Sequence, residues 1–207
     1  MKKRAIIFLS GYLNLKSDYY KNIDYLNYDI FCADGGANYA YELGVIPKLI
    51  LGDLDSVSED VISYFKGLGV RIEKFPKSKD FTDGELILEK VCFKYDEVLV
   101  LGGLGGRTDH FFTTINMLEK YPNVILEDEN EKIFFVKSGM VIKENSGKTI
   151  SFLPLVEIKG LTLEGFQYEI RNIDVSRASS LCMSNIIKSD NATVRYQNGT
   201  IVGIIQK

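Results

Sequence analysis

Short apolar runs alternate with amphipathic stretches through residues 1–130. Six runs are apolar and rich in β-branched residues, as is typical of buried strands. The stretches between them carry apolar residues at three- and four-residue spacing, the period of a helix. This alternation predicts β-α units that build a mostly parallel sheet. The predicted strands are residues 4–9, 29–33, 48–51, 70–75, 98–101 and 124–126. The predicted helices are residues 18–26, 37–43, 58–66, 82–95 and 108–120.

The pattern changes after an acidic stretch at residues 128–131. Beyond it, short strand-like segments are separated by turn residues. Asn198-Gly199 lies between two such segments and favours a type I′ hairpin turn. The sequence therefore predicts two domains. Residues 1–130 form a Rossmann-like α/β domain with helices on both faces of the sheet, and residues 131–207 form a small all-β sandwich.

Composition limits the kinds of molecule that this chain is expected to bind. The 207 residues carry a net charge of -3 and contain no block of Lys or Arg, which argues against nucleic acid as a ligand. No apolar run is long enough to cross a bilayer, so no membrane partner is expected. Cys32, Cys92 and Cys182 form no CxxC pair and lie in apolar surroundings, which favours reduced thiols in a cytoplasmic protein.

Candidate chemistry lies just after the predicted strands, because ligands of open parallel sheets bind at the carboxyl ends of strands. Asp53 and Asp55 are two positions apart at a strand end and are expected on one side. Asp80 and Asp83 are three apart and share one face of a helical first turn. Four like charges in one crevice repel each other unless a cation is bound, and Mg2+ suits carboxylates combined with phosphate oxygens. The sequence thus predicts a magnesium and phosphate site.

Several of these residues also have simpler interpretations. A single aspartate at a strand end is more often a helix cap or turn former. Lys79 and Arg107 could neutralise phosphate charge or could be ordinary solvated side chains. His110, the only histidine, is interpreted as a structural hydrogen-bonding residue.

Taken in order, four motifs resemble those of the thiamine pyrophosphokinase family. They are ADGGAN at 33–38, GDLDS at 52–56, KDFTD at 79–83 and GGRTDH at 105–110. The resemblance implies transfer of a pyrophosphoryl group from ATP to the hydroxyl of thiamine, giving AMP and thiamine diphosphate. It also implies a requirement for Mg2+ and a homodimer whose active sites lie between subunits.

The same resemblance implies residue roles. Asp53, Asp55 and Asp83 are the implied catalytic residues, and together with Asp80 they are the implied metal ligands. Ser184 and Asn185 are the implied thiamine-binding residues. The family often has a tryptophan against thiamine; this chain has none, and Phe166 or Tyr168 could substitute. The implied nucleotide-binding residues are Asp34, Gly35, Gly36, Lys79, Thr82, Gly103, Arg107 and Asp109.

Two other functions remain open at this point. An aspartate-dependent phosphohydrolase would use Asp53 as its nucleophile. A non-catalytic sensor would bind thiamine or a nucleotide without turnover.

Overall fold

The computed structural model describes residues 2–76, 78 and 80–207, so Lys79 lies outside the described residues. The chain separates into two compact units. The first comprises Met1–Met117 and Asn123–Glu129, and the second comprises Leu118–Pro122 and Asn130–Lys207. Within the described chain, no helix is both long and apolar enough to cross a membrane.

The first unit is built on a parallel sheet, so the mixed α/β class is confirmed. The strand order is β4-β3-β2-β1-β5-β6, and every neighbouring pair is parallel. Each predicted strand is present, with ends that agree or differ by one residue. The strands are β1 (Arg4–Phe8), β2 (Asp29–Ala33), β3 (Leu49–Gly52), β4 (Arg71–Lys74), β5 (Glu97–Leu101) and β6 (Val124–Glu127).

Five α-helices accompany this sheet. They are α1 (Asp18–Lys21), α2 (Gly36–Glu42), α3 (Glu59–Gly67), α4 (Asp83–Val91) and α5 (Thr108–Lys120). Thr82 caps α4, since its Oγ1 accepts the Glu85 N–H at 3.1 Å. Helix α4 is followed by a 3-10 turn at Cys92–Lys94, and another such turn occurs at Tyr25–Asn27.

The predicted helix 18–26 is wrong in length, because α1 ends at Lys21. Asn and Asp side chains compete with helical hydrogen bonds and favour turns. Here Asn27 Nδ2 donates to Asp24 Oδ2 at 2.6 Å, and the Tyr25 N–H donates to the Ile23 carbonyl. The segment after Lys21 therefore continues as turns.

Both faces of the strands are buried. Alternate strand residues, among them Ile6, Cys32 and Ile50, belong to one apolar cluster with residues of α2 and α3. The intervening strand residues point to the opposite face, as the period of two requires, and are also buried. The buried side chains of α4 include Ile87 and Leu88, and this helix packs along β2 and β3. Apolar runs without alternation are the expected sequence pattern of such strands.

The second unit is antiparallel and centred on one long strand. Its strands are β7 (Glu131–Phe135), β8 (Met140–Ile142), β9 (Thr149–Glu164), β10 (Ile170–Val175), β11 (Asn185–Ile186), β12 (Ala192–Arg195) and β13 (Asn198–Gln206). The first half of β9 pairs with β11 and β13, and its second half pairs with β10 and β12. Buried residues such as Ile150, Phe152 and Leu161 form the core of this unit.

The predicted hairpin at Asn198-Gly199 is wrong. Strands β12 and β13 do not pair with each other; both pair antiparallel with successive parts of β9. Arg195 is opposite Thr162, and Asn198 is opposite Lys159, so the chain continues along β9 and does not reverse. The register shifts between Asn198 and Thr200, and Gly199 has φ 118°. A Cβ at Gly199 would lie 2.4 Å from the Glu157 carbonyl oxygen, so this glycine marks a bulge in close backbone contact.

Candidate functional site

A cavity of about 490 Å³ opens at the carboxyl edge of the parallel sheet, within the first unit. Its walls come from the segments that follow β1, β2, β3 and β5, and from the first turns of α4 and α5. This is the edge at which the sequence predicted the chemistry. A parallel sheet brings these segments together because all its strands end on the same side.

Three aspartates converge in this cavity. One carboxylate oxygen from each of Asp34, Asp53 and Asp55 lies within 4.8 Å of the others. Asp34 is buried at the end of β2, whereas Asp55 is exposed. Two oxygens on opposite sides of an octahedral Mg2+ lie about 4.2 Å apart, so small side-chain movements would fit these three to that ion.

The backbone between Asp53 and Asp55 is a turn and not an extended strand. Strand β3 ends at Gly52, and Leu54 has φ 63°, in the left-handed region that a branched residue rarely adopts. The Asp55 N–H donates to Asp53 Oδ1 at 3.3 Å. The two carboxylates thus meet because of a strained turn, which differs from the strand alternation assumed for the sequence.

Gly52 allows this turn to approach Asp34. Its φ is 150°, and a Cβ there would lie 3.0 Å from the Asp34 Cβ. The Asp34 N–H in turn donates to the Leu51 carbonyl at 2.8 Å. A glycine at this position therefore brings the ends of β2 and β3 close enough for their carboxylates to share one site.

Asn38 on α2 holds the same turn in place. Its Nδ2 donates to the Ser56 carbonyl at 2.9 Å, and its Oδ1 accepts the Ser58 N–H at 3.3 Å. Ser56 Oγ donates to Asp55 Oδ1 at 3.1 Å. Asn38 is not a cavity-lining residue, so we interpret it as a positioning residue for the acidic turn.

Glycines bring the segment after β5 against the segment after β1. The Gly11 N–H donates to the Gly102 carbonyl at 3.1 Å. A Cβ at Gly11 would lie 2.2 Å from the Gly105 carbonyl oxygen, and one at Gly102 would lie 2.5 Å from the Leu9 carbonyl oxygen. Side chains are excluded where these backbones meet, so the glycines allow the two segments to pack closely beside the cavity.

Arg107, just before α5, supplies a cationic side chain to the wall. Arg107 lines the cavity, and its Nε and Nη2 donate to the two Asp109 carboxylate oxygens at 3.1 and 2.6 Å. This hydrogen-bonded pair lowers the pKa of Asp109 to about 2 and raises the pKa of Arg107. Both side chains are exposed, so solvent screens the attraction. His110 lines the same wall.

The predicted nucleotide and metal residues divide into three groups. The cavity is lined by Asp34, Asp53, Asp55, Thr82, Asp83, Gly103 and Arg107. Four predicted residues do not line it: Gly35, Gly36, Asp80 and Asp109. Lys79 lies outside the described residues. Gly36 has a packing role, since a Cβ there would lie 2.2 Å from the Phe8 carbonyl oxygen, whereas Gly35 lies against the cavity residues Ser10 and Ser56.

Sequence reasoning missed part of the wall. Ser10 and Gly11 follow β1, and their position after a strand of the same parallel sheet was a usable signal. Thr113 and Thr114 extend the site along α5, where the sequence carries no comparable signal. His110 of the GGRTDH motif, which the sequence analysis interprets as structural, also lines the cavity.

The predicted thiamine residues lie in the second unit. Asn185 is only 3% exposed, and its amide forms three hydrogen bonds with backbone groups. Its Oδ1 accepts the Tyr168 and Ile186 N–H groups at 3.0 and 2.9 Å, while its Nδ2 donates to the Tyr168 carbonyl at 2.8 Å. Ser184 is exposed with φ 53°, and its N–H donates to Ser151 Oγ. Asn185 thus orders the chain around Tyr168.

The two aromatic candidates differ in accessibility. Phe166 is 4% exposed and packs edge-on against Phe152 with ring centroids 5.4 Å apart. Tyr168 is 60% exposed. Of these two, Tyr168 is the one whose ring a ligand can reach.

Comparisons with known proteins indicate one family for both parts of the chain. Residues 23–134 match the family model described as thiamin pyrophosphokinase, catalytic domain, and residues 139–201 match the vitamin B1 binding domain of the same enzyme. Thiamine pyrophosphokinase of Bacillus subtilis (strain 168) is 30% identical over 179 residues, covering 83% of this chain and 84% of its relative.

Two solved structures are similar to this chain over almost its whole length. The crystal structure of thiamine pyrophosphokinase from Bacillus subtilis has a TM-score of 0.86 and 28% identity, with 99% of each chain covered. That of thiamin pyrophosphokinase from Geobacillus thermodenitrificans has a TM-score of 0.83 and 26% identity, covering 99% of this chain and 97% of the other. The chain therefore belongs to the thiamine pyrophosphokinase family.

Proposed function

We propose that this chain transfers the pyrophosphoryl group of ATP to the hydroxyl of thiamine, giving thiamine diphosphate and AMP. The observation that carries the proposal is the convergence of Asp34, Asp53 and Asp55 within 4.8 Å beside a glycine-lined wall, in a member of this enzyme family. Like charges held this close are costly unless a ligand compensates them.

Mg2+ is the proposed cofactor. The carboxylates of Asp34, Asp53 and Asp55 would hold it, and Asp83 lines the same cavity. Asp80 stays a predicted ligand on resemblance alone. A bound Mg2+ would neutralise phosphate charge and orient the phosphate chain.

In the proposed reaction the thiamine hydroxyl oxygen attacks the β-phosphorus of ATP in line. The bond from that phosphorus to the oxygen bridging to the α-phosphate breaks, and AMP leaves with the electron pair. The hydroxyl proton passes to Asp83 or to solvent. The chain contributes positioning and charge compensation through its backbone N–H groups and Arg107.

The remaining expectations extend this proposal. We propose that residues 1–130 act as a Rossmann-like catalytic domain and residues 131–207 as a thiamine-binding β-sandwich, with Tyr168 and Ser184 as its accessible contacts. We further propose a homodimer with active sites between subunits. A cytoplasmic location is supported by three free, buried cysteines, Cys32, Cys92 and Cys182.

Product analysis tests the reaction. The protein is incubated with ATP, Mg2+ and thiamine, and the products are identified by mass. AMP with thiamine diphosphate is the expected result, whereas ADP with thiamine monophosphate would refute pyrophosphoryl transfer. A trapped phosphoryl group on Asp53 would favour a phosphohydrolase, and binding without turnover would favour a sensor.

A further inference from the structure

The cavity is unevenly charged. Four aspartates line it, and they come from the ends of β2 and β3 and from the start of α4: Asp34, Asp53, Asp55 and Asp83. Among the lining residues that the structure describes, Arg107 and His110 are those able to carry positive charge; Arg107 lies just before α5 and His110 in its first turn. A phosphate chain that bridges to a metal at the acidic side therefore needs direct donors from the α5 side.

Several hydroxyl donors in this wall are already used by protein acceptors. Thr82 Oγ1 accepts the Glu85 N–H as a helix cap, which leaves its O–H as a donor, but this side chain is neutral. Arg107 gives two of its five N–H donors to Asp109, and the others remain for a ligand. Four further hydroxyls donate to protein acceptors: Ser10 to the Ala33 carbonyl, Ser56 to Asp55, Thr113 to the Asp109 carbonyl and Thr114 to the His110 carbonyl.

The ring of His110 differs from these four hydroxyls. Its backbone N–H donates to Asp109 Oδ1, and its carbonyl accepts from Thr114 Oγ1, so its place in the first turn of α5 is fixed. Its ring nitrogens form no hydrogen bond with any residue that the structure describes, although the side chain lines the cavity and is exposed. An imidazole carries at least one N–H donor in either protonation state.

We propose that His110 is a substrate-contact residue, whose imidazole donates a hydrogen bond to a phosphate oxygen of the bound nucleotide. The inference rests on the proposed function, because it assumes a nucleoside polyphosphate in this cavity. The hydrogen bonds that fix His110 in α5 are made by its backbone, so its ring is available to a ligand. The proposed contact therefore replaces the structural interpretation of His110 drawn from the sequence.

Binding of the Mg2+ complex of α,β-methylene ATP, which cannot lose AMP, tests this contact by calorimetry. His110→Ala is expected to weaken binding roughly tenfold or more, as for a lost hydrogen bond to a charged group. His110→Gln places an amide donor near the position of Nε2 and is expected to recover part of that loss. Asn116→Ala, exposed on the same helix and outside the cavity lining, is the matched control and is expected to bind like the unmodified chain.

Wild-type affinity in His110→Ala, with unchanged thermal unfolding, would overturn the inference. An equal loss in Asn116→Ala would also overturn it, because the effect would then belong to the helix. If the unmodified chain produces AMP and thiamine diphosphate while His110→Ala binds normally, the contact alone is wrong. If the unmodified chain neither binds nor consumes ATP, the proposed function fails as well.

Discussion

The acidic turn of the first unit and the Asn185 segment of the second use polar side chains in opposite ways. Asp34, Asp53 and Asp55 gather like charges within 4.8 Å around an open cavity. Asn185 is buried, and three hydrogen bonds commit its amide to backbone groups, two of them on Tyr168. The first arrangement opposes folding unless a ligand binds, whereas the second stabilises the fold directly. Residues implied together by family resemblance therefore differ in their surroundings: the aspartates face a cavity, and the Asn185 amide is bonded to the backbone.

The largest expected effect comes from removing charge in the acidic turn. Asp53→Asn or Asp55→Asn should lower the rate of AMP release on the order of a thousandfold. Each change removes a ligand of the proposed Mg2+, and with the metal the phosphates lose their charge compensation. Thermal stability should stay the same or rise, since repulsion is relieved. Steady-state kinetics and thermal unfolding measure both, and Asp190→Asn, an exposed residue of the second unit, is the control. Near-normal AMP release from a folded variant would remove these residues from the site.

Asn185→Ala should lower stability and leave nucleotide binding unchanged, the reverse of the changes in the acidic turn. The free energy of unfolding should fall by roughly 2–4 kcal/mol, because buried backbone groups of Tyr168 and Ile186 lose their partners. Nucleotide affinity should be unchanged. Denaturant unfolding measures the loss, with the exposed Asn191→Ala as a matched control. A stable Asn185→Ala protein would show that the side chain is not structural.

Asn38→Ala should lower both activity and stability, each by less than the changes above. Loss of its bonds to Ser56 and Ser58 should cost about 1 kcal/mol of stability. Activity should fall roughly tenfold, since small displacements of a reacting group are costly. Asn38→Asp keeps the acceptor for the Ser58 N–H and should be intermediate in both assays. Full activity in Asn38→Ala would mean that the turn keeps its shape without this residue.

The smallest effect is expected at the exposed Arg107–Asp109 pair. The Arg107 hydrogen bond holds the pKa of Asp109 at about 2, below its ordinary value of 3.8. The stabilisation is therefore present above the ordinary value and is lost as the pH falls through about 2. The unfolding midpoint of Asp109→Asn should lie slightly below that of the unmodified chain at pH 7, and the two should converge in acid. A difference that grows in acid would contradict the pairing.

The parallel sheet and its functional edge were predictable from sequence for physical reasons. Strands buried on both faces, such as β1 and β5, require uninterrupted apolar runs, which are visible without a structure. Strand direction then places the residues after each run at one edge. That rule predicts Asp53, Asp55 and Asp83, which line the cavity, and also Asp80, which does not. Asp34 was implied by the family resemblance.

Other features depend on tertiary contacts that no local pattern encodes. Leu54 adopts a left-handed conformation only because the surrounding turn demands it. Gly199 favours a hairpin locally, but β9 offers a continuous partner, and pairing along it overrides the turn preference. The burial of Asn185 and its hydrogen-bond partners likewise cannot be read from the Ser184-Asn185 dipeptide.

Divalent-cation binding at the acidic turn tests the central claim most directly. Mn2+ can be titrated into the unmodified chain and into Asp53→Asn in the presence of α,β-methylene ATP, with the bound fraction followed by electron paramagnetic resonance. The unmodified chain should bind Mn2+ in the ternary complex, and Asp53→Asn should bind it at least tenfold more weakly, as loss of one charged ligand predicts. Equal Mn2+ affinity in the two proteins would contradict the assignment of these converging carboxylates to a metal site.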